Sequence, residues 1–123
     1  MDMIQLSATE DLPEINFDGN KGFFQISKRS LPENAVLFYE PLAEYVTNYL
    51  KLPQSETNIF FHFDYINTSS TKQLLKIILL FDQLKHEQKV ALNWHYDQGD
   101  SDMLQTGRRL EKLTSLKFNF KEI

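Results

Sequence analysis

Four consecutive hydroxyl side chains run from Thr68 to Thr71, directly after Asn67. Serine and threonine can cap the first turn of a helix, because their oxygens accept hydrogen bonds from its free N–H groups. The spacing of Ser70 and Gln73 fits such a capping box. The same hydroxyls can instead accept a phosphate, which the free N–H groups and the helix dipole would stabilise. A run of four exceeds what one cap requires, so both interpretations stay open on spacing alone.

The histidines offer a second kind of chemistry. His62 and His95 fall in two predicted strands, and His86 lies near a predicted helix end. A histidine pair with carboxylates of the 97–102 loop could bind a metal through nitrogen and oxygen. That loop contains Asp97, Asp100 and Asp102, and Asp64 is a further candidate ligand. A small metal-dependent hydrolase is therefore the alternative function. The sequence lacks the helical His-x-x-x-His spacing and the EF-hand pattern, which favours surface or sheet-edge histidines.

Nucleophilic catalysis is disfavoured by the surroundings of the hydroxyl run. Ser69, His95 and Asp97 supply the residue types of a hydrolytic triad. No Gly-x-Ser-x-Gly elbow accompanies them, and four glycines in the chain form no phosphate-binding loop. We therefore expect a binding module rather than an enzyme, with no cofactor.

The composition limits the protein's class. With 123 residues, 41% of them hydrophobic, the chain is long enough for one domain, residues 1–123, around one core. A net charge of −4 and a pI near 5.3 argue against a nucleic-acid partner, which requires clustered cations. The absence of cysteine excludes disulfides, thiolate metal sites and a cysteine nucleophile.

The sequence also predicts a cytoplasmic protein without membrane insertion. The first residues lack the basic and apolar regions of a signal peptide. The longest dense apolar run, residues 74–81, is interrupted by Lys76 and is far too short to span a bilayer.

The hydroxyl run is placed by a strand before it and a helix after it. Residues 59–66 are β-branched and aromatic, which is typical of a core strand. Residues 72 to about 85 show helical spacing. The apolar positions of this helix are Leu74, Leu75, Ile78, Leu79 and Phe81. A polar turn at 85–89 and a strand at 90–96 complete a parallel βαβ unit with a right-handed crossover. The hydroxyls should then lie at the carboxyl edge of the sheet, where α/β proteins bind ligands.

The remaining elements flank this unit. Strands at 4–8, 14–18 and 23–27 predict a small antiparallel meander. A first helix should begin near Glu40 with Pro41 in its first turn, after a start signal at Ser30 or Asn34. Its apolar stripe consists of Phe38, Leu42, Tyr45, Val46 and Tyr49.

The last third of the chain predicts one more helix and one more strand. The helix should run from 102 to about 113, capped by Asp100 or Ser101, although Gly107 in its middle weakens that prediction. Met103, Leu104, Leu110 and Leu113 form its expected apolar face. With a final strand at 117–122, the fold class is α/β: a mixed sheet with helices packed on it.

Four motifs then suggest a family. They are Ser30-Leu31-Pro32-Glu33-Asn34, Tyr65-Ile66-Asn67-Thr68-Ser69-Ser70, Trp94-His95-Tyr96-Asp97 and Asp102-Met103. In this order and at these intervals the chain resembles the SiaC family of bacterial regulatory phosphoproteins, over about residues 15–120. Asn-Thr-Ser-Ser and Pro-Glu-Asn are the most specific parts. The resemblance implies a fold similar to the STAS domains of anti-sigma-factor antagonists.

The resemblance also implies a partner-switching cycle. Thr68 takes the position of a threonine that a dedicated kinase phosphorylates and a PPM-type phosphatase releases. Asn67, Ser69 and Ser70 would shape the surface that the partners contact. In characterised members the unphosphorylated form binds and activates a diguanylate cyclase, which promotes aggregation and biofilm formation. Two residues depart from the family pattern: Leu31, where an aromatic residue is commoner, and Tyr45, where tryptophan is expected. Both could lie on a partner-facing surface.

Overall fold

The computed structural model describes residues 1–84 and 89–123, and within them the chain forms six strands and three helices. In chain order these are β1 (Ile4–Leu6), β2 (Glu14–Asp18), β3 (Phe23–Ser30), α1 (Ala35–Tyr49), β4 (Glu56–Ile66), α2 (Thr68–Asp82), β5 (Lys89–Tyr96), α3 (Ser101–Lys112) and β6 (Phe118–Glu122). None of these helices is both long and apolar enough to cross a bilayer.

The strands form one sheet in which spatial order equals chain order, β1-β2-β3-β4-β5-β6. β1, β2 and β3 are antiparallel neighbours, whereas β3 to β6 run parallel. This arrangement confirms the predicted α/β class, with an antiparallel meander followed by a parallel βαβ unit. Each parallel connection contains one helix, since a tight turn cannot join parallel strands.

The three helices pack on the same face of the sheet. Phe24 of β3 contacts Tyr49 of α1 and Phe81 of α2, with ring centroids 4.8 Å apart in both pairs. Trp94 of β5 donates its indole N–H to the Met103 carbonyl of α3 at 3.0 Å. The topology explains this arrangement, because parallel crossovers are right-handed. With a strand order that never reverses direction, every crossover lies on the same side.

Alternation along the strands separates a buried face from an open one. In β4, Ile59, Phe61 and Phe63 are buried against the helices, whereas Phe60 and His62 are half-buried on the opposite face. No described helix covers that opposite face. Doubly wound sheets bind ligands in the crevice where the strand order reverses, and the sheet of the described residues contains no such reversal.

Helix α1 begins earlier than predicted. It starts at Ala35 and not near Glu40, because the Asn34 side chain accepts a hydrogen bond from the Leu37 N–H at 3.1 Å. Pro41 therefore lies inside the helix rather than in its first turn. Proline removes one helical hydrogen bond, but Pro41 is exposed, and the buried face of α1 holds the helix across it.

Helix α3 runs through Gly107 because a side chain there would collide with the core. An added Cβ would lie 2.5 Å from Trp94 Nε1, so glycine is what lets the helix approach the indole. Asp100 is the cap, with its side chain accepting from the Met103 N–H at 3.0 Å. Leu113 is exposed and does not belong to the apolar face.

Other differences concern the ends of elements. β3 extends to Ser30 and β4 begins at Glu56, because parallel pairing with their neighbours continues over those residues. β1 stops at Leu6, and Leu79 of α2 is exposed rather than buried. The predicted turn and His86 fall on 85–88, outside the described residues, and β5 already begins at Lys89.

Candidate functional site

The connection between β4 and α2 consists of a single residue, Asn67. Its N–H donates to the Ser30 carbonyl at 3.1 Å, which continues the pairing of β3 with β4 past the end of β4. The hydroxyl run therefore lies at the carboxyl edge of the sheet, as predicted, and it begins α2.

Asn67 is the N-cap of α2. Its backbone is extended, and its side-chain oxygen accepts from the Ser70 N–H at 2.8 Å. The predicted capping box of Ser70 and Gln73 is wrong, and neither Thr68 nor Ser69 is the cap. Asparagine is as good a cap as serine, and Asn67 is the one residue that joins the end of β4 to the start of α2. This cap also explains why α2 starts at Thr68 and not at residue 72.

The four hydroxyls have different environments. Ser70 is fully buried, and Thr71 Oγ1 donates to the Asn67 carbonyl at 3.0 Å. Thr68 and Ser69 are exposed at the first two positions of α2. A helix leaves its first N–H groups without partners inside the helix. The Ser70 N–H donates to the Asn67 side chain. The N–H groups of Thr68 and Ser69 are therefore left to face solvent. The exposed hydroxyls therefore lie beside unpaired donors.

Ser70 anchors a buried chain of hydroxyls that sequence reasoning missed. Ser30 Oγ donates to Ser70 Oγ at 3.0 Å, and Ser30 Oγ lies 2.6 Å from the Tyr39 hydroxyl. Because Ser30 has one hydroxyl proton, Tyr39 must donate to it. The chain ties the first turn of α2 to the end of β3 and to α1. Tyr39 lies three residues before Leu42, a helical spacing that could have placed it on the buried face.

Burial raises the pKa of Tyr39 from its ordinary 10 to about 12, although hydrogen bonds with Ser30 and Ser70 act in the opposite direction. Below about pH 10 the tyrosine is neutral in both folded and unfolded chains. Between about pH 10 and 12 the unfolded state binds fewer protons, so the free energy of unfolding falls as pH rises, by up to about 1.4 kcal/mol per pH unit.

We therefore expect wild-type protein to lose stability in this window relative to Tyr39→Phe, which has no proton to lose. Urea unfolding of both proteins from about pH 9 to 12 measures the difference. At neutral pH the variant should be less stable by about 1 kcal/mol, because one buried hydrogen bond is lost. Parallel alkaline losses in the two proteins would contradict the assignment.

The edge around Thr68 combines charged and apolar groups. A bulge shifts the β3–β4 register between Lys28 and Arg29, and Asp64 is the extra residue of β4. The Arg29 guanidinium lies 5.3 Å from the centre of the Tyr65 ring, and Tyr65 is 45% exposed. Bulges at strand ends often re-aim side chains beside functional sites. The first turn of α1 begins at the same edge with two exposed side chains, Val36 and Leu37.

Tyr45 is half-buried and packs against the hydrophobic core. Its hydroxyl accepts from the Gly19 N–H at 2.8 Å, and its ring packs against Phe17 and Phe24. This departure from the family pattern is therefore structural. Leu31 is half-buried next to the candidate site.

His62 and His95 do not assemble a metal centre. His62 and His95 are register partners in β4 and β5, but His62 Nε2 contacts Asp97 Oδ1 at 2.8 Å and the two imidazole centres lie 6.2 Å apart. Burial, His62 and Lys121 together lower the pKa of His95. No group of three candidate ligands occurs in the described part of the chain. Asp97 pairs with His62 and Asp100 caps α3, so these two loop carboxylates already have structural partners.

The triad considered from residue types is also not formed. Asp97 pairs with His62 and not with His95, so the base would lack its orienting acid.

Comparisons with known proteins agree with the motif-based resemblance. A family model described as "SiaC family regulatory phosphoprotein" matches residues 6–123. An uncharacterised protein of Pseudomonas aeruginosa (strain UCBPP-PA14) is 27% identical over 99% of this chain and 90% of its own length.

Solved structures show the same fold. SiaC of Pseudomonas aeruginosa superposes with a TM-score of 0.89 at 23% identity, covering all of both chains. A crystal structure of the diguanylate cyclase SiaD in complex with its activator SiaC, from the same species, matches with a TM-score of 0.89 at 23% identity, over 98% of this chain and 99% of that one.

Proposed function

This chain belongs to the SiaC family of regulatory phosphoproteins, and from that premise we propose that it is a partner switch gated by phosphorylation of Thr68. The protein performs no chemistry of its own. It presents one surface to a partner, and the state of one hydroxyl decides whether that partner binds.

The observation that carries the proposal is the different use of the four hydroxyls. Ser70 and Thr71 are engaged in structural hydrogen bonds, whereas Thr68 is exposed at the first position of α2. A kinase can therefore reach Thr68 without unfolding the helix. The cap stays intact on modification, because it uses the Asn67 side chain and the Ser70 N–H.

A phosphate on Thr68 acts locally. It adds about −1.5 to −2 charges at neutral pH beside the unpaired N–H groups and the positive end of the α2 dipole, which stabilise an anion. The domain need not refold. Asp64, exposed at the bulge nearby, adds negative charge to the same edge. A partner that packs on the bare hydroxyl would then meet steric hindrance and repulsion.

Membership of the SiaC family also suggests the partners of this protein. We propose a cognate kinase and a PPM-type phosphatase that set the state of Thr68, in the cytoplasm. We propose that the unphosphorylated form binds a diguanylate cyclase. A SiaC of Pseudomonas aeruginosa forms a complex with the diguanylate cyclase SiaD. Three neighbours of Thr68 also shape the surface that the partners contact. Asn67 and Ser69 do so because they lie on either side of Thr68, and Ser70 does so by holding the start of α2 to Ser30.

Intact-mass and peptide mass spectrometry on protein from its native host test the proposal. We expect a single phosphate on the peptide that contains Thr68, its loss in Thr68→Ala and its persistence in Ser69→Ala. The serine variant is the matched control, because its hydroxyl is exposed one residue away. No phosphate under any of several growth conditions would leave helix capping as the better account of Asn67 to Ser70.

A further inference from the structure

The outer edge of β6 has backbone groups without a strand partner. On the inner side, the Ile123 N–H donates to the Tyr96 carbonyl at 2.9 Å, and the Ile123 carbonyl accepts from the Gln98 N–H at 3.0 Å. Backbone groups of successive strand residues point to opposite sides. The N–H and C=O groups of Phe120 and Glu122 therefore point away from β5, toward an edge that no described strand occupies.

Phe118 shows how this edge is partly closed. Its N–H, which points to the same outer side, donates to the Glu111 carboxylate of α3 at 2.8 Å. A side chain thus satisfies the first outward donor, whereas the donors of Phe120 and Glu122 are left for solvent. Unpaired edges are templates for another strand.

A groove runs along this edge between β6 and α3. It encloses about 490 Å³ and is lined by Phe118, Phe120 and side chains of α3. The Phe118 and Phe120 rings lie 5.9 Å apart, and Phe118 stacks on Trp94 beneath. The floor is therefore apolar and rigid, and suited to aliphatic side chains spaced along an extended chain.

The α3 wall of the groove is basic. It carries three exposed cations, Arg108, Arg109 and Lys112. None of them forms an ion pair with a carboxylate of the described residues. The acid of this wall, Glu111, is already bonded to the Phe118 N–H. In a chain of net charge −4, this is a local concentration of uncompensated positive charge.

We propose that this groove binds an extended acidic segment of a partner protein, which adds a strand to β6 and places its carboxylates against α3. The edge supplies backbone hydrogen bonds, the phenylalanines accept alternate apolar side chains, and the cations select negative charge. A second copy of this chain fits less well, because pairing β6 with β6 would bring two basic α3 faces together. The site is separate from Thr68, which begins α2 beyond the end of β4, and β4 lies two strands from β6.

The direct test uses a short fluorescent peptide in which glutamate and valine alternate, titrated into the full-length protein. We expect saturable binding that weakens as salt is added. Amide chemical-shift changes should centre on Phe120, Glu122 and α3. A peptide with lysine in place of glutamate is the matched probe and should not bind. The peptide should bind Thr68→Asp as it binds wild type, which separates this proposal from the switch.

Two sets of variants locate the contact. A triple variant that reverses the charge of the α3 wall (Arg108→Glu, Arg109→Glu and Lys112→Glu) should weaken binding by about tenfold or more. All three positions are exposed, so the variant should keep the fold. Phe120→Pro removes the outward N–H, which an edge strand tolerates, and should abolish binding that Phe120→Leu retains.

Other outcomes would overturn the inference. These are no binding of the acidic peptide, equal binding of the lysine peptide, shift changes confined to the open face of the sheet, or an oligonucleotide that binds the groove while the peptide does not. Concentration-dependent dimerisation through β6, seen by analytical ultracentrifugation and lost in Phe120→Pro, would instead assign the edge to a second copy.

Discussion

Thr68→Asp is expected to weaken binding of the partner cyclase by roughly tenfold or more, whereas Thr68→Ala should bind as tightly as unphosphorylated wild type. An unpaired charge desolvated at an interface costs several kcal/mol, and the aspartate carboxylate takes the place of the exposed hydroxyl. Isothermal titration of the purified pair gives both dissociation constants.

Folding cannot explain such a loss. A carboxylate in the first turn of a helix stabilises it by about 0.3–1 kcal/mol, so Thr68→Asp should unfold at a slightly higher temperature than Thr68→Ala. Thr47→Asp is the matched control: it makes the same change at an exposed threonine within α1 and should bind normally. If Thr68→Asp and Thr68→Ala bind equally well, phosphorylation does not act by excluding the partner.

Gly107→Ala is expected to lower the free energy of unfolding by about 1–3 kcal/mol, as overpacking of a well-packed core does. The added Cβ would lie 2.5 Å from Trp94 Nε1 and 2.7 Å from two ring carbons. Trp94 is fully buried and held by its hydrogen bond to Met103, so it cannot move aside cheaply. Alanine in an ordinary helix position would instead stabilise by about 1 kcal/mol.

Chemical denaturation measures this cost. Gln105→Ala, an exposed substitution on the same helix, should change stability by less than about 0.5 kcal/mol. In a Trp94→Phe background the cost of Gly107→Ala should shrink, because the smaller ring leaves room for the Cβ, and a double-mutant cycle isolates that coupling. An unchanged cost in that background would show that the indole is not the obstacle.

Patterns within one element predicted the fold well. The prediction of a strand at 14–18 is confirmed by β2, because the alternation of these residues is bounded by clear turn residues. Start points of helices were predicted less well, since they depend on single caps. Asn34 and Asn67 each begin a helix through one side-chain hydrogen bond, and neither bond changes the hydrophobic pattern that sequence reasoning follows.

In the candidate site, too, local patterns predicted some features and missed those that depend on distant residues. Spacing alone could not separate capping from phosphorylation, and the resemblance, not the pattern, singled out Thr68. The burial of Ser70 depends on Tyr39, 31 positions earlier in the chain, which reaches it through Ser30. Likewise, a glycine at position 107 argues against a helix when the sequence is read alone. The structure shows that glycine is required there because Trp94, on β5, leaves no room for a side chain. Long-range contacts of this kind leave no local signal.

The agreement between strand order and chain order has a consequence for biosynthesis. Each strand pairs with the one made just before it, so no strand has to insert between two others that are already joined. The sheet can grow from β1 toward β6 as the polypeptide leaves the ribosome, with each helix closing over the strands already present. Each parallel pairing closes a loop that contains a single helix, which keeps its loop-closure entropy below that of a pairing with a more distant strand. The last strand of this order, β6, pairs with one described neighbour, so its outer edge stays available for a further strand.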